Sequence, residues 1–443
     1  MLATPPFRRR GMHDLVIYVP GMEDSGTAIT RRGRECQVEA TEILQALFAA
    51  DAASDPYPGY ADLLATGEVC HPSQWSSVVV FGYAAIESVL RDPVFEVQGA
   101  TGLDASFPAW REHPSMSKNS VIDLNGGEHT RVRGLMARAF SRRRVESLAP
   151  AIAATTASLL DDMADRGNGG EPVDFVAQFA FLLPVIVICD LVGIPQADRE
   201  AFRPLAEDLV AGLIGERRRG AQDAVAVADD ATVRLNDYFT ALAGERRKYP
   251  RDDLLSVLVQ VHDADDGRLS DAELHDNLRT LVIAGFLTTT HLLSNGLALL
   301  LSDPHLAAAV REAEVAVADF VEETLRYESP VQMTVRRAAA PASLGGIQAA
   351  AGTQVLLLFG AGNRDPRRFA SPDRFDPRRP DAGSLSFGGG PHFCLGAALA
   401  RMEAAIAFPA LLARFPSMAG AGSGRRVAGP AFRGFEILPV TVA

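Results

Sequence analysis

The sequence predicts a mainly α-helical protein with small β-sheets. Three observations carry that prediction. Apolar residues recur at helical spacing through most of the stretch from Arg131 to Phe415. Only a few short segments, such as Ser76–Phe81 (SSVVVF), read as strands. No internal repeat and no low-complexity linker divides the 443 residues. A hydrophobic share of 47% with 22% charged residues is ordinary globular composition and excludes a disordered chain.

Arg131–Ser147 reads as a helix whose apolar face is Val132, Leu135, Met136, Ala139 and Phe140. Ala149–Asp165 reads as a second helix and Phe175–Val192 as an apolar third. Asp198–Gly244 holds one or two charged helices around a Glu216–Gly220 turn. Ser270–Leu301 is long. Ser270 and Glu273 form a capping-box pattern, and the apolar run continues to Asp303–Pro304. Its middle is apolar on all sides, so it belongs in the interior. Pro304–Tyr327 gives one or two more helices, and Leu395–Phe415 the last. Thr334–Ala338, Gln354–Phe359 and Glu436–Thr441 are the remaining strands, and 343–355, with Gly345, Gly346 and Gly352, reads as a hairpin. Long irregular stretches at 98–124 and 361–393 are of a length that is usually functional.

The net charge of −12 argues against a general polyanion binder, because such a surface repels phosphates. Nearly all positive charge is arginine; the lysines are Lys118 and Lys248. Cys36, Cys70, Cys189 and Cys394 share no C-x-x-C spacing, which excludes zinc ribbons and dithiol redox motifs and points to a reducing, cytoplasmic setting. The longest apolar run, Phe179–Cys189, is about half a membrane span and contains Pro184. Residues 1–25 read as a flexible extension ahead of a single domain over 26–443.

The strongest local signal is Phe387-Gly-Gly-Gly-Pro-His-Phe-Cys394-Leu-Gly396, followed by an alanine-rich helix. A thiol just before a helix N-terminus meets unpaired backbone N–H groups and a dipole that favour the thiolate. Gly388, Gly389, Gly390 and Gly396 let the backbone approach a flat, bulky partner, and Phe387 and Phe393 supply an apolar wall. A lone cysteine is as a rule a buried structural thiol. Here the spacing Phe387-x-x-Gly390-x-x-x-Cys394-x-Gly396 resembles the haem-binding signature of the cytochrome P-450 family at every defining position. Glu323-Thr-Leu-Arg326 resembles that family's Glu-x-x-Arg helix, and Pro372-Asp-Arg374-Phe375-Asp-Pro the segment whose arginine closes a salt-bridged triad with it. His129-Thr-Arg-Val-Arg133 resembles the C-helix His-x-x-x-Arg, placing both side chains on one helix face. The resemblance runs from about Asp55-Pro-Tyr-Pro to Arg433-Gly-Phe-Glu-Ile-Leu-Pro-Val.

It implies an α-rich triangular prism with haem b between the long central helix and the cysteine loop. Cys394 becomes the thiolate ligand of the iron, and His129, Arg133, Arg336 and His392, with Phe387 and Gly396, become the residues around the cofactor. Ala284-Gly-Phe-Leu-Thr288-Thr resembles the oxygen-activating stretch. Ala284 and Gly285 then leave space for dioxygen, and Thr288 supports proton delivery. Leu287 departs from the pattern, which has a carboxylate there, and leucine carries no proton. Three explanations stay open: protons from substrate groups or water, a reaction such as oxidative coupling that needs fewer of them, or a non-catalytic haem sensor or scaffold. His291, one turn on, is either an alternative relay or an imidazole satisfied by its neighbours.

The resemblance further implies a soluble bacterial monooxygenase that hydroxylates or epoxidises an apolar or amphipathic molecule of secondary metabolism. Phe286, Leu287, Val331, Thr334 and Phe432 then line the substrate pocket. Electrons come from a ferredoxin or flavodoxin served by an NAD(P)H-dependent reductase. Arg131, Arg138, Arg142, Arg143 and Arg144 form its expected docking face.

Overall fold

The computed structural model describes residues 31–49, 55–72, 75–97, 113–115, 118–214, 221–264 and 269–442. The expected extension at 1–25, most of the 98–124 loop and the Glu216–Gly220 turn lie outside the described residues.

The central helix is Asp271–Ser302. Both halves of its capping box form: the Glu273 N–H donates to Ser270 Oγ (3.2 Å) and the Ser270 N–H to Glu273 Oε2 (2.8 Å). Ser270→Ala is expected to cost about 1 kcal/mol, read as a lower urea midpoint, because a helix-end N–H loses its acceptor. The helix is long and apolar enough to cross a membrane, yet most of it is buried inside the protein. Against it pack the helices Leu182–Val192 and Ala397–Arg414, and Arg142–Arg166 packs on those two, all in one continuous apolar core.

Gly285 marks one of these close approaches. A Cβ there would lie 2.8 Å from the Ile188 side chain, so only glycine lets Leu182–Val192 seat against the central helix. That apolar helix is preceded by a π-helical turn, Val176–Ala180. Pro184 falls in its first turn, where backbone N–H groups lack helical acceptors anyway.

The break expected near Ser147 lies elsewhere. One helix is Gly126–Met136, and the next is Arg142–Arg166. Pro150 sits inside the latter, because Val145, Leu148, Ile152, Leu159 and Met163 form a single buried stripe that runs past it. Packing here overrides the proline's cost. The final strand also divides, into Phe435–Ile437 and Pro439–Thr441. Phe435–Ile437 pairs with Arg425–Arg426, whereas Pro439–Thr441 pairs with Val173–Asp174 and Ala419–Gly420.

The main sheet has five strands in the order Val69–Cys70, Ser77–Val80, Gln354–Leu358, Met333–Ala338 and Phe95–Val97. Ser77–Val80 and Gln354–Leu358 run parallel; the other pairs are antiparallel. The expected hairpin is present as Ala342–Leu344 and Ile347–Ala349. Among the described residues this sheet and its small apolar cluster stand apart from the helical core, and Arg336 projects from its edge region toward the cysteine loop's basic residues.

Candidate haem-thiolate site

The cysteine loop is held shut by its own backbone. The Cys394 N–H donates to Phe387 O (2.9 Å), and Gly390–His392 forms a 3-10 turn between them. Gly390 adopts φ +62°, and a Cβ there would lie 2.1 Å from Leu90 O. The motif's glycine therefore seats the loop on the helix Tyr83–Arg91. This is a different use from the approach to a flat partner that composition suggested. Cys394 stands just ahead of Gly396, which begins Ala397–Arg414. Cys70 and Cys189 are buried, which pushes both thiols up to about 12; Cys394 is exposed. Burial within the surrounding loop also pushes the Cys394 thiol up. The Gly396 N–H, the Arg133 and Arg401 charges and the Ala397 N–H pull against that shift.

Next to the thiol, four basic side chains converge. The rings of His129 and His392 lie 4.0 Å apart, tilted by 34°. Arg133 donates to Phe393 O (2.6 Å). Arg336 is buried, at 7% exposure, and among the described residues donates to Thr334 Oγ1 (3.3 Å) and Val335 O (2.9 Å). No carboxylate among the described residues pairs with any of the four. The electrostatic consequence is large. His392 is pushed down to about 3 by burial and by the neighbouring His129, Arg336 and Arg133; burial lowers Arg336 to about 10. His129 is lowered by burial and by Arg133, and its Nε2 is buried without a hydrogen-bond partner. Positive groups crowded together with no acid form a site for anions.

The loop is braced from behind. Glu323 and Arg326 are fully buried and meet in a double hydrogen bond of 2.8 and 2.7 Å. Arg326 also donates to the carbonyls of Asn363 (2.9 Å), Pro372 (2.9 Å) and Arg374 (3.2 Å). The expected third member is corrected by the structure. The Arg374 side chain is exposed and turns to Asp376 (3.8 Å), whereas Arg379 Nε lies 3.5 Å from Glu323 Oε1. Arg374 contributes its carbonyl, an acceptor that any residue offers. Asn363 was not singled out from the sequence. Buried, it accepts from the Leu385 N–H (2.7 Å) and donates to Ser386 Oγ (3.2 Å), and Ser386 in turn donates to Leu325 O (2.6 Å). No sequence signal marks it beyond its place in the long 361–393 stretch.

On the central helix, Ala284 is the one exposed residue from Glu273 to Leu301. Thr288 is half-buried beside it, and its hydroxyl donates to Ala284 O (3.0 Å). Gly285 faces Ile188 rather than this opening. Phe286 is at 1% exposure on the opposite side of the helix, edge-on to Phe181 at 5.3 Å, so the structure does not bring it to the opening. Leu287 is buried in the helical core. Val331 and Phe432 are brought together by an isolated β-bridge, and Thr334 lies two residues along its strand from Arg336. Of the expected docking arginines, Arg138, Arg142 and Arg143 are exposed. Arg131 is not, being paired with Glu273, and Arg144 is held by Asp252.

These residues fit a thiolate-ligated haem. The Arg133 and Arg336 guanidinium groups with two neutral imidazole donors and no acid match two propionates, the orphaned His129 Nε2 would gain an acceptor, and Cys394 would supply the sulfur ligand.

Comparison with known proteins agrees. The cytochrome P-450 family model matches residues 196–419. The chain is 38% identical over 397 residues to cytochrome P-450 monooxygenase PikC of Streptomyces venezuelae, spanning 88% of this chain and 92% of that one. It is 36% identical over 374 residues to 6-deoxyerythronolide B hydroxylase of Saccharopolyspora erythraea, spanning 82% and 89%. The crystal structure of the cytochrome P-450 BioI in complex with hexadec-9Z-enoic acid ligated acyl carrier protein superposes with a TM-score of 0.78. Identity there is 35%, over 87% of this chain and 98% of that chain. The chain belongs to the cytochrome P-450 family. It has that family's fold, it is an oxidoreductase of the monooxygenase class, and its cofactor is haem b.

Proposed function

We propose that this enzyme inserts one oxygen atom from dioxygen into an apolar or amphipathic small molecule, by hydroxylation or epoxidation, in secondary-metabolite biosynthesis. The observation that carries the reading is the acid-free convergence of His129, Arg133, Arg336 and His392 beside Cys394. The hydroxylase and monooxygenase named among the relatives support it.

Bound haem supplies the iron at which dioxygen is reduced and from which oxygen is transferred. The residues do the rest. The Gly396 and Ala397 N–H groups stabilise negative charge on Cys394 Sγ, which favours the deprotonated sulfur that a metal requires. Arg133 and Arg336 would hold the propionates, with His129 and His392 as further donors. Thr288 keeps a hydroxyl at the opening beside Ala284, where its lone pairs can accept one proton while it donates another. The buried Leu287 and the core face of Phe286 keep bulk water from that side of the helix.

Val331, Thr334 and Phe432 form the substrate wall, with Thr334 as its polar handle. A ferredoxin or flavodoxin delivers electrons at the exposed Arg138, Arg142 and Arg143, with an NAD(P)H-dependent reductase behind it. The chain works in the cytoplasm. The buried Leu287 favours one second reading, an oxidative coupling that needs less proton delivery than oxygen insertion.

The test is turnover of natural-product intermediates that give a type-I spectral shift, with reductase, ferredoxin and NAD(P)H. One labelled oxygen atom from dioxygen in the product is the expected result; a coupled product without it overturns insertion. A further expectation concerns cofactor retention. Arg336→Gln removes a charge-assisted bond of about 1.5–3 kcal/mol, so haem should transfer to apomyoglobin at least roughly ten times faster than from the parent.

A further inference from the structure

Ala284, Thr288, His291 and Asn295 stand at i, i+4, i+7 and i+11 of the central helix, and therefore on one face. One end of this stripe is the opening at Ala284 and Thr288. The other end is polar. The Asn295 amide donates to Glu328 O (3.0 Å) and Arg433 O (2.9 Å), and its oxygen accepts from Arg426 (3.3 Å). Arg426 also reaches Glu328 (3.5 Å). Both line a surface cavity of about 540 Å³, together with Asp55, Tyr57, Arg364 and Arg433.

His291 lies between the two ends. It is at 2% exposure, and neither ring nitrogen has a hydrogen-bond partner among the described residues. A histidine satisfied by a neighbouring carbonyl is therefore not what the core contains. Each unmade bond would cost about 1–3 kcal/mol if nothing met it, which favours ordered water beside the ring. The ring is held in place by the chain beside it: a Cβ at Gly434 would lie 2.2 Å from Nδ1. Phe432 flanks it at 6.3 Å. Burial pushes the imidazole down to about 4, so at neutral pH one nitrogen carries hydrogen and the other is a bare acceptor.

We infer that His291 relays protons from the polar Asn295–Arg426–Glu328 end of the stripe, where Arg426 and Glu328 line the surface cavity, to the Thr288 hydroxyl, the task that Leu287 cannot perform. A proton binds the bare nitrogen while the other nitrogen releases its own through water to Thr288. Thr288 passes one proton on into the opening and keeps one, and a proton shift between the two His291 nitrogens through water restores the starting tautomer, so neither residue changes charge over a cycle. Electrons and dioxygen are those of the oxidation proposed above, and the inference rests on that haem-thiolate reading. His291 acts through Thr288 and is a positioning residue.

Carbon monoxide on the reduced holoenzyme is the probe, and its C–O stretch is recorded in H₂O and in D₂O. The parent is expected to show a band that moves between the two solvents. His291→Leu should shift the band and lose the solvent response. Gly434→Ala, which displaces the ring, should do the same, and Leu287→Glu added to His291→Leu should restore the response. An unaltered solvent response in His291→Leu overturns the relay. Nitrogen-15 spectra of the parent need no variant: fast exchange of the His291 ring N–H with water is expected, and protection lasting hours overturns the inference. A parent that shows no reduced-CO absorption at about 450 nm instead sinks the haem-thiolate reading itself.

Discussion

Arg326→Ala is expected to lower stability by about 3–5 kcal/mol, because it leaves the Glu323 carboxylate buried with its main counter-charge gone. The loss is larger than that of an ordinary helix pair at i, i+3, since both side chains are fully buried and the arginine also ties three carbonyls together. Arg379 remains 3.5 Å from Glu323 but sits in a less direct geometry and compensates only in part. The damage travels. Arg326 holds Asn363, Asn363 holds Leu385 and Ser386, and Ser386 opens the stretch leading to Phe387 and Cys394. The variant should unfold at clearly lower urea and retain little haem. Replacing both partners with apolar residues of similar volume should cost less than the single change. An unchanged urea midpoint in Arg326→Ala would show that the pair is not what braces the loop.

Cys394→Ser should have the largest effect on chemistry and a small one on folding. The side chain is exposed, and its backbone bond to Phe387 does not depend on the sulfur. Thermal melting of the cofactor-free chain should therefore stay close to that of the parent. The reduced, CO-saturated band at about 450 nm should vanish, because a hydroxyl cannot donate electron density as a thiolate does. Monooxygenase turnover should fall by at least roughly a hundredfold, the scale set by losing one transition-state interaction of several kcal/mol. A variant that keeps the band would place the ligand elsewhere.

Much of this architecture was legible because it depends on local patterns. Ser270 and Glu273 announce a helix start by side-chain chemistry alone, and the apolar run behind them announces burial. The hairpin around Gly345 and Gly346 is marked by its glycines. Among the elements that were not read, Tyr57–Thr66, Tyr83–Arg91 and Leu254–Asp263 are short and owe their stability to neighbours distant in sequence. The misplaced break near Ser147 has a related cause: a proline reads as a boundary, whereas a buried stripe from Val145 to Met163 decides the outcome. At the site, the spacing around Cys394 and the basic character of His129, Arg133, Arg336 and His392 were visible from sequence. Their mutual approach was not, since it joins four separate segments. Arg379 replaces Arg374 in the triad for the same reason. Which of several nearby arginines turns inward is decided by the path of the chain between 372 and 379, and composition does not encode that path.

The contact at Gly285 bears on how the site moves. Ile188 touches helix backbone there with no intervening methyl, so Leu182–Val192 and the stretch carrying Ala284 and Thr288 behave as one mechanical piece. Under the oxidation proposed above, a molecule that leans on the first helix would tilt the ceiling of the oxygen site. Gly285→Ala would insert a spacer into that linkage, and ligand-induced spectral change should then weaken even where the ligand still enters.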